Sequence, residues 1–495
     1  MARITPPEGN RGNGQYEGYH ALWHLFSLGL IDDLQSFDSS AWDKAEKKLA
    51  KSGRRTRVAL IDVSVAPKHP NLEGAIAWDL AADFFSNRLG TFPDPDPNGT
   101  RFAELLDAAE AIGNKVAKAL FAEMKTRLAA EYDDAAADPA PTARRIFPAT
   151  SAAFSGHGTA MAGLIGARPV PADKVDLIGT KVTPLPGGAT PSVDSPLAGH
   201  GLPYIGIDPT CEIVPISTSF DPDPEQFLAA MLYAHIIDAD LIVLARDFPD
   251  PWRSPMTGTL GKGGAVDSEE LELLRKNHPV KYSEEEAALW DALHDLVPKM
   301  SITRPILCAS GNGGDSTMLY PGVLASDKNG IILVGAHTSL GKRAGYSTTG
   351  SADLPVTLYA PSGDSERLDS EIIRLDRVSP DFREDTYSPG DLAAAEDFSP
   401  LDVISTDVPG AAGYNGSPFP EILPEDEMLP DYRSYYCRFS GTSAATAIAA
   451  GMLALAMSTG KIARGDGITA KKKLRGNTAP TDDINAEPKL VWASI

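Results

Sequence analysis

Phe439-Ser440-Gly441-Thr442-Ser443-Ala444-Ala445-Thr446-Ala447 decides how this chain is read, together with the run from Ile448 through Gly451 to Met457. A glycine turn and a cluster of hydroxyls lead into an Ala- and Leu-rich stretch that meets no charge before Lys461. That is the pattern of a helix buried on every side and beginning near Ser443. A serine there lies beside unpaired N–H groups and the positive end of the helix dipole, which stabilise negative charge growing next to its oxygen. Taken alone, the same residues also fit a core helix that is merely capped by Thr442 or Ser443.

Residues far upstream separate those readings. Val58-Ala59-Leu60-Ile61-Asp62 is an apolar run ending in a carboxylate, as in a buried parallel strand whose carboxyl end faces a functional crevice. In isolation Asp62 would be a loop cap. Phe154-Ser155-Gly156-His157-Gly158-Thr159 holds a histidine between two glycines, which let neighbouring groups approach the imidazole closely. A structural histidine does not need that setting. Further strands are expected at 212–216, 239–245, 305–309 and 330–335, with helices at 227–237 and 284–300. The run at 305–309 turns into Ser310-Gly311-Asn312-Gly313-Gly314 and so carries an amide to a strand end. Alternating strands and helices predict an α/β fold: a doubly wound, mostly parallel central sheet flanked by helices.

Asp62, His157 and Ser443 supply the three roles of an activated hydroxyl: carboxylate, proton carrier and nucleophile. Asn312 adds a donor for the oxyanion. In this order the chain resembles a subtilisin-family (subtilase) serine protease, an intracellular type with large insertions. The resemblance rests on the Asp62 strand, the Gly156-His157-Gly158-Thr159 box, the Ser310-Gly311-Asn312 turn and the Gly441-Thr442-Ser443 box. Tyr320-Pro321, Val334-Gly335-Ala336 and Ala360-Pro361 fall where the family has similar pairs. It implies a subtilisin-like catalytic domain over 54–480, interrupted near 85–150, 251–283, 364–400 and 411–436. A helical extension over 1–53, with helices at about 19–34 and 40–51, precedes it, and a tail over 481–495 follows.

The resemblance implies a serine endopeptidase acting through an acyl-enzyme on a protein or peptide substrate, which binds as a strand beside Ala245, Arg246, Asp247, Ser310 and Gly311. Asp247, Asp250 and Asp315 lie on segments expected to border the primary specificity pocket, where carboxylates turned inward would favour Lys or Arg; solvated loop carboxylates are the more common outcome. Departures from the family pattern are Val63-Ser64 after Asp62, Leu244-Ala245-Arg246-Asp247 in place of a Ser-Leu-Gly segment, and Ala444, Thr446 and Ala447 after the nucleophile. They motivate an alternative, a catalytically silent pseudoprotease acting as a binding or scaffold protein. An esterase of the other Ser-His-Asp fold is disfavoured by chain order and by the lack of a Gly-x-Ser-x-Gly elbow. Regulation is expected from the inserted loops, above all 411–436, or from a regulatory protein partner.

With 45 Lys and Arg against 67 Asp and Glu, the net charge of −22 argues against nucleic acid or an anionic membrane as a partner. No run approaches the roughly 18 apolar residues of a membrane span, and 21–31 lacks the flanks of a signal peptide. Cys211, Cys308 and Cys437 are too few for a disulfide framework, so a reducing, cytoplasmic setting is expected. No cofactor is required. Asp94, Asp96 and Asn98 are calcium candidates at alternate positions, but Leu105 stands where the closing Glu belongs, which favours a rigid helix-initiating turn.

Overall fold

The computed structural model describes residues 15–16, 19–20, 23–32, 39–66, 69–84, 152–170, 204–219, 222, 224–246, 284–338, 341, 343–363, 403–408, 436–476 and 489–495. Near its start are an antiparallel pair, β1 (Gln15–Tyr16) and β2 (Tyr19–His20), and a short helix α1 (Trp23–Ser27). The helix expected over 19–34 is therefore broken up. Tyr19 pairs in β2, and Gly29 takes a left-handed φ of 70° just past α1. The next helix, α2 (Ser40–Ser52), begins where Ser39 Oγ accepts from Ala41 N–H and ends at Gly53, whose φ is 68°. Trp42 fastens α2 to the core by donating from Nε1 to Ile207 O at 2.8 Å.

A strand of unbroken apolar residues has to be covered on both faces. In β3 (Arg57–Asp62), Val58 and Leu60 join one buried cluster while Ala59 and Ile61 join the other. Six further strands extend the sheet: β4 (Ala82–Asp83), β5 (Glu212–Ser217), β6 (Leu241–Leu244), β7 (Ile306–Ala309), β8 (Ile331–His337) and β9 (Leu358–Pro361). Their order is β4-β5-β3-β6-β7-β8-β9, with every neighbouring pair parallel. The chain leaves β3 toward β5 and later returns to β6 on its other side. Such a reversal opens a crevice at the carboxyl ends of the central strands, where Asp62, Ala245 and Ser310 lie.

Helices α4 (Pro224–Ile236) and α5 (Glu284–Thr303) cover one face, and α3 (Ala152–Gly166), α2 and α6 (Gly441–Thr459) pack on the other. A short helix, α7 (Gly467–Arg475), follows with Asp466 as its N-cap. Every residue of α6 is buried except Ser443. Its sequence is long and apolar enough to cross a membrane, contrary to the expectation that no stretch comes close, yet 94% of that window is enclosed by the protein. The apolarity answers to the core. An antiparallel pair, β10 (Ile404–Thr406) and β11 (Tyr436–Arg438), leads into α6, so Tyr436 belongs to a strand and not to the excursion expected over 411–436. Ser405 Oγ donates to Ala160 O at 2.6 Å and Thr406 Oγ1 to Thr159 O at 2.7 Å, which ties α3 to that pair.

His24 in α1 is fully buried, and neither ring nitrogen has a hydrogen-bond partner among the described residues. Burial lowers its pKa to about 3, far below the ordinary value. Between that value and about 6.5 the unfolded chain binds the proton and the folded one does not, so the stability contributed by a neutral His24 is complete above pH 6.5 and is lost as pH falls below it. In denaturant titrations at pH 7 and pH 5, His24→Leu should lose about 2 kcal/mol less than the wild type over that interval. Equal losses in the two proteins would show that His24 does not titrate on unfolding.

Candidate active site

Asp62 ends β3 with its carboxylate out of contact with solvent. Its Oδ1 and Oδ2 lie 2.8 and 2.9 Å from Nδ1 of His157, and Oδ1 accepts the Val63 N–H at 2.7 Å. Burial pushes the carboxyl pKa up, but the His157 charge and hydrogen bond, the Arg246 charge and the Val63 N–H outweigh it and hold the group below the usual carboxylate range. The imidazole thus has an ionised partner that fixes which nitrogen faces away. His157 sits in the second turn of α3, since the helix begins earlier than its glycines suggest. Gly158 is what lets the turn approach: a Cβ there would stand 2.5 and 2.6 Å from the carbonyl oxygens of Ser64 and Val63. Phe439 meets the imidazole edge-on, with ring centres 5.3 Å apart.

Ser443 lies in the first turn of α6, where main-chain N–H groups have no partner one turn back. Ser440 precedes the helix in extended conformation, and Gly441 takes a φ of 80° that side chains rarely adopt. The turn is gripped from both sides. Gly441 N–H donates to the Tyr346 hydroxyl at 3.1 Å, and Ser362 Oγ donates to Gly441 O at 2.9 Å. The Ser443 hydroxyl donates to Ala245 O at 2.9 Å, and among the described residues no hydrogen bond joins it to His157.

Thr442 does not cap the helix with its side chain; it fastens Asn312. Its N–H and Oγ1 donate to Asn312 Oδ1 at 2.8 and 2.9 Å, and Gly311 N–H donates to Thr442 Oγ1 at 3.2 Å. With Oδ1 committed to the first turn of α6, the amide nitrogen of Asn312 is left as a donor beside Ser443. The arrangement offers a hydroxyl, an imidazole backed by a carboxylate, and an oriented amide, the parts needed for attack on an acyl carbon.

Of the residues expected to line the substrate strand, Ala245 contributes the carbonyl just named. The Arg246 side chain runs inward and is 4% exposed. Ser310 is buried, its hydroxyl donating to Thr348 O at 3.2 Å, and Gly311 has a φ of 119°. Asp315 is half-buried, with Oδ1 accepting Thr317 N–H at 3.1 Å. Asp247 and Asp250 lie outside the described residues, as do Asp94, Asp96 and Asn98 and the insertions at 85–150, 251–283 and 364–400. No group of three or more His, Cys, Asp or Glu side chains able to hold a metal occurs among the described residues. Tyr346, Ser362 and the inward course of Arg246 escaped the sequence reading. Ser362 follows the Ala360-Pro361 pair directly, which was the available signal.

Residues 276–480 match the model of the subtilase family, peptidase S8, a segment that contains Asn312 and Ser443 and begins downstream of Asp62 and His157. No curated protein matches the chain. Among solved structures, the epidermin leader peptide processing serine protease from Staphylococcus aureus is 12% identical at a TM-score of 0.47, covering 92% of this chain and 81% of its own. The nisin leader peptidase of Lactococcus lactis is 14% identical at 0.43, covering 92% of each. A lanthipeptide protease is 14% identical at 0.46, covering 100% of this chain and 98% of its own. Over residues 276–480, then, this chain is similar to the serine peptidases of the subtilase family.

Proposed function

We propose that the chain is an endopeptidase that cleaves peptide bonds through an acyl-enzyme on Ser443. Protein or peptide substrates follow from the family. The carrying observation is the pairing of the buried Asp62 carboxylate with His157 Nδ1, which leaves Nε2 as the proton acceptor. In this reading the Ser443 hydroxyl turns from Ala245 O toward Nε2 and gives up its proton as its oxygen attacks the scissile carbonyl. The resulting oxyanion takes a hydrogen bond from Asn312 and from the first-turn N–H groups of α6. Protonated His157 then donates to the leaving amine, the C–N bond breaks, and water repeats the sequence on the ester to free Ser443 and the acid.

The substrate backbone would lie beside 245–247, adding main-chain hydrogen bonds, as in other strand-wise peptide recognition. Control by the segment 411–436, and a cytoplasmic setting supported by three free, buried cysteines, belong to the same proposal. Nothing in the fold or the comparisons favours the silent-scaffold alternative.

A fluorophosphonate serine probe tests the assembled nucleophile. Labelling should be present in the wild type and absent in Ser443→Ala and His157→Ala; persistent labelling of Ser443→Ala would remove Ser443 as nucleophile. Labelling that appears only after a cut within 411–436 would support control by that segment. On a peptide substrate, Asn312→Ala should lower kcat about 10²- to 10³-fold with little change in KM. A loss below threefold would take Asn312 out of the oxyanion site.

A further inference from the structure

Arg246 follows β6 in the stretch expected to meet substrate, yet its guanidinium is turned away from the cleft. Nη1 donates to Ser219 O at 2.7 Å, Nη2 donates to Thr218 Oγ1 at 2.5 Å, and Nε stands 3.9 Å from Asp62 Oδ1. Thr218 N–H in turn donates to Asp62 O at 2.9 Å. One side chain therefore laces together the carboxyl ends of β5, β3 and β6, which are neighbours in the sheet. A guanidinium this deeply buried costs several kcal/mol unless its charge is answered. Among the described residues, Asp62 is the carboxylate within 4 Å of it. The charged groups facing that carboxylate among the described residues are two, His157 from α3 and Arg246 from the end of β6. The turn after β5 brings hydroxyl and carbonyl groups, and the first turn of α6 brings no charge.

We propose that Arg246 is a positioning residue for the general base: it holds the Asp62 carboxylate ionised and aimed at Nδ1 of His157. The proposal rests on the reading of Asp62, His157 and Ser443 as the catalytic set. When His157 is neutral, the buried Asp62 still has a counter-ion, so the carboxylate is not left uncompensated between turnovers.

The test compares Arg246→Met, which keeps much of the length without the charge, with Arg246→Lys, which keeps the charge. For each, kcat and KM on a peptide substrate are measured, together with the rate of fluorophosphonate labelling. In Arg246→Met kcat should fall about tenfold or more, with KM within about twofold of the wild type. Arg246→Lys should recover only part of that loss, because one ammonium cannot replace the guanidinium on Thr218 and Ser219. Arg246→Gln gives the charge-free readout should the Met variant fail to fold. An unchanged kcat in a folded, charge-free variant would reduce Arg246 to packing, and a raised KM with unmoved kcat would make it a substrate residue. A wild type that takes the label but hydrolyses no peptide would sink the peptidase reading, while slower labelling of Arg246→Met would leave the positioning role intact.

Discussion

An ionised carboxylate without access to water survives in a protein only where its charge is met by hydrogen bonds and counter-ions, and Asp62 imposes that demand on everything around it. It has no exposed surface and sits at the end of a strand in the middle of the sheet. Meeting its charge draws α3 close enough for His157 to reach it, which requires Gly158 against the backbone of Val63 and Ser64. It also engages Arg246 from the adjacent strand. The pairing that orients the His157 imidazole is thus the same pairing that allows β3 to end on a charge inside the core.

The second constraint comes from α6. Ser443 is the one residue of this helix that is not buried, so its hydroxyl is positioned by the whole core and not by a loop. Gly441 supplies a backbone conformation closed to most side chains, and Tyr346 and Ser362 hold its N–H and C=O. Thr442 then transmits the helix position to Asn312 through its backbone and its hydroxyl. Asn312 is hydrogen-bonded to Thr442, the chain neighbour of Ser443, so its separation from Ser443 does not depend on the length of the chain between them.

Much of this was legible in the sequence because it follows from burial. The apolar runs inside strands 57–62, 212–217, 241–244, 306–309 and 331–337 have one use in an α/β chain, and the turn residues after them mark the crevice. Side-chain direction was not legible. Arg246 lies at a strand end where either course is sterically open, and the neighbouring Asp62 decides the matter only once β3 and β6 are paired. The helix expected over 19–34 failed for a related reason: its apolar periodicity is real, but Gly29 and the β2 pairing of Tyr19 cut it short. The apolar excess of α6, read alone, could not distinguish a protein core from a lipid one.

The late position of α6 in the chain bears on how the protein is made. Strands β3 to β9 and helices α2 to α5 all leave the ribosome before α6 does, and until it arrives the sheet face that it shares with α2 and α3 is only partly covered. Asp62 and His157 can meet early, but Ser443 comes with the helix that closes the core. In a nascent chain Ser443 thus arrives together with the helix that fills much of the core on that face. Truncation upstream of Gly441 would accordingly yield a sticky, open sheet rather than a folded but inactive enzyme.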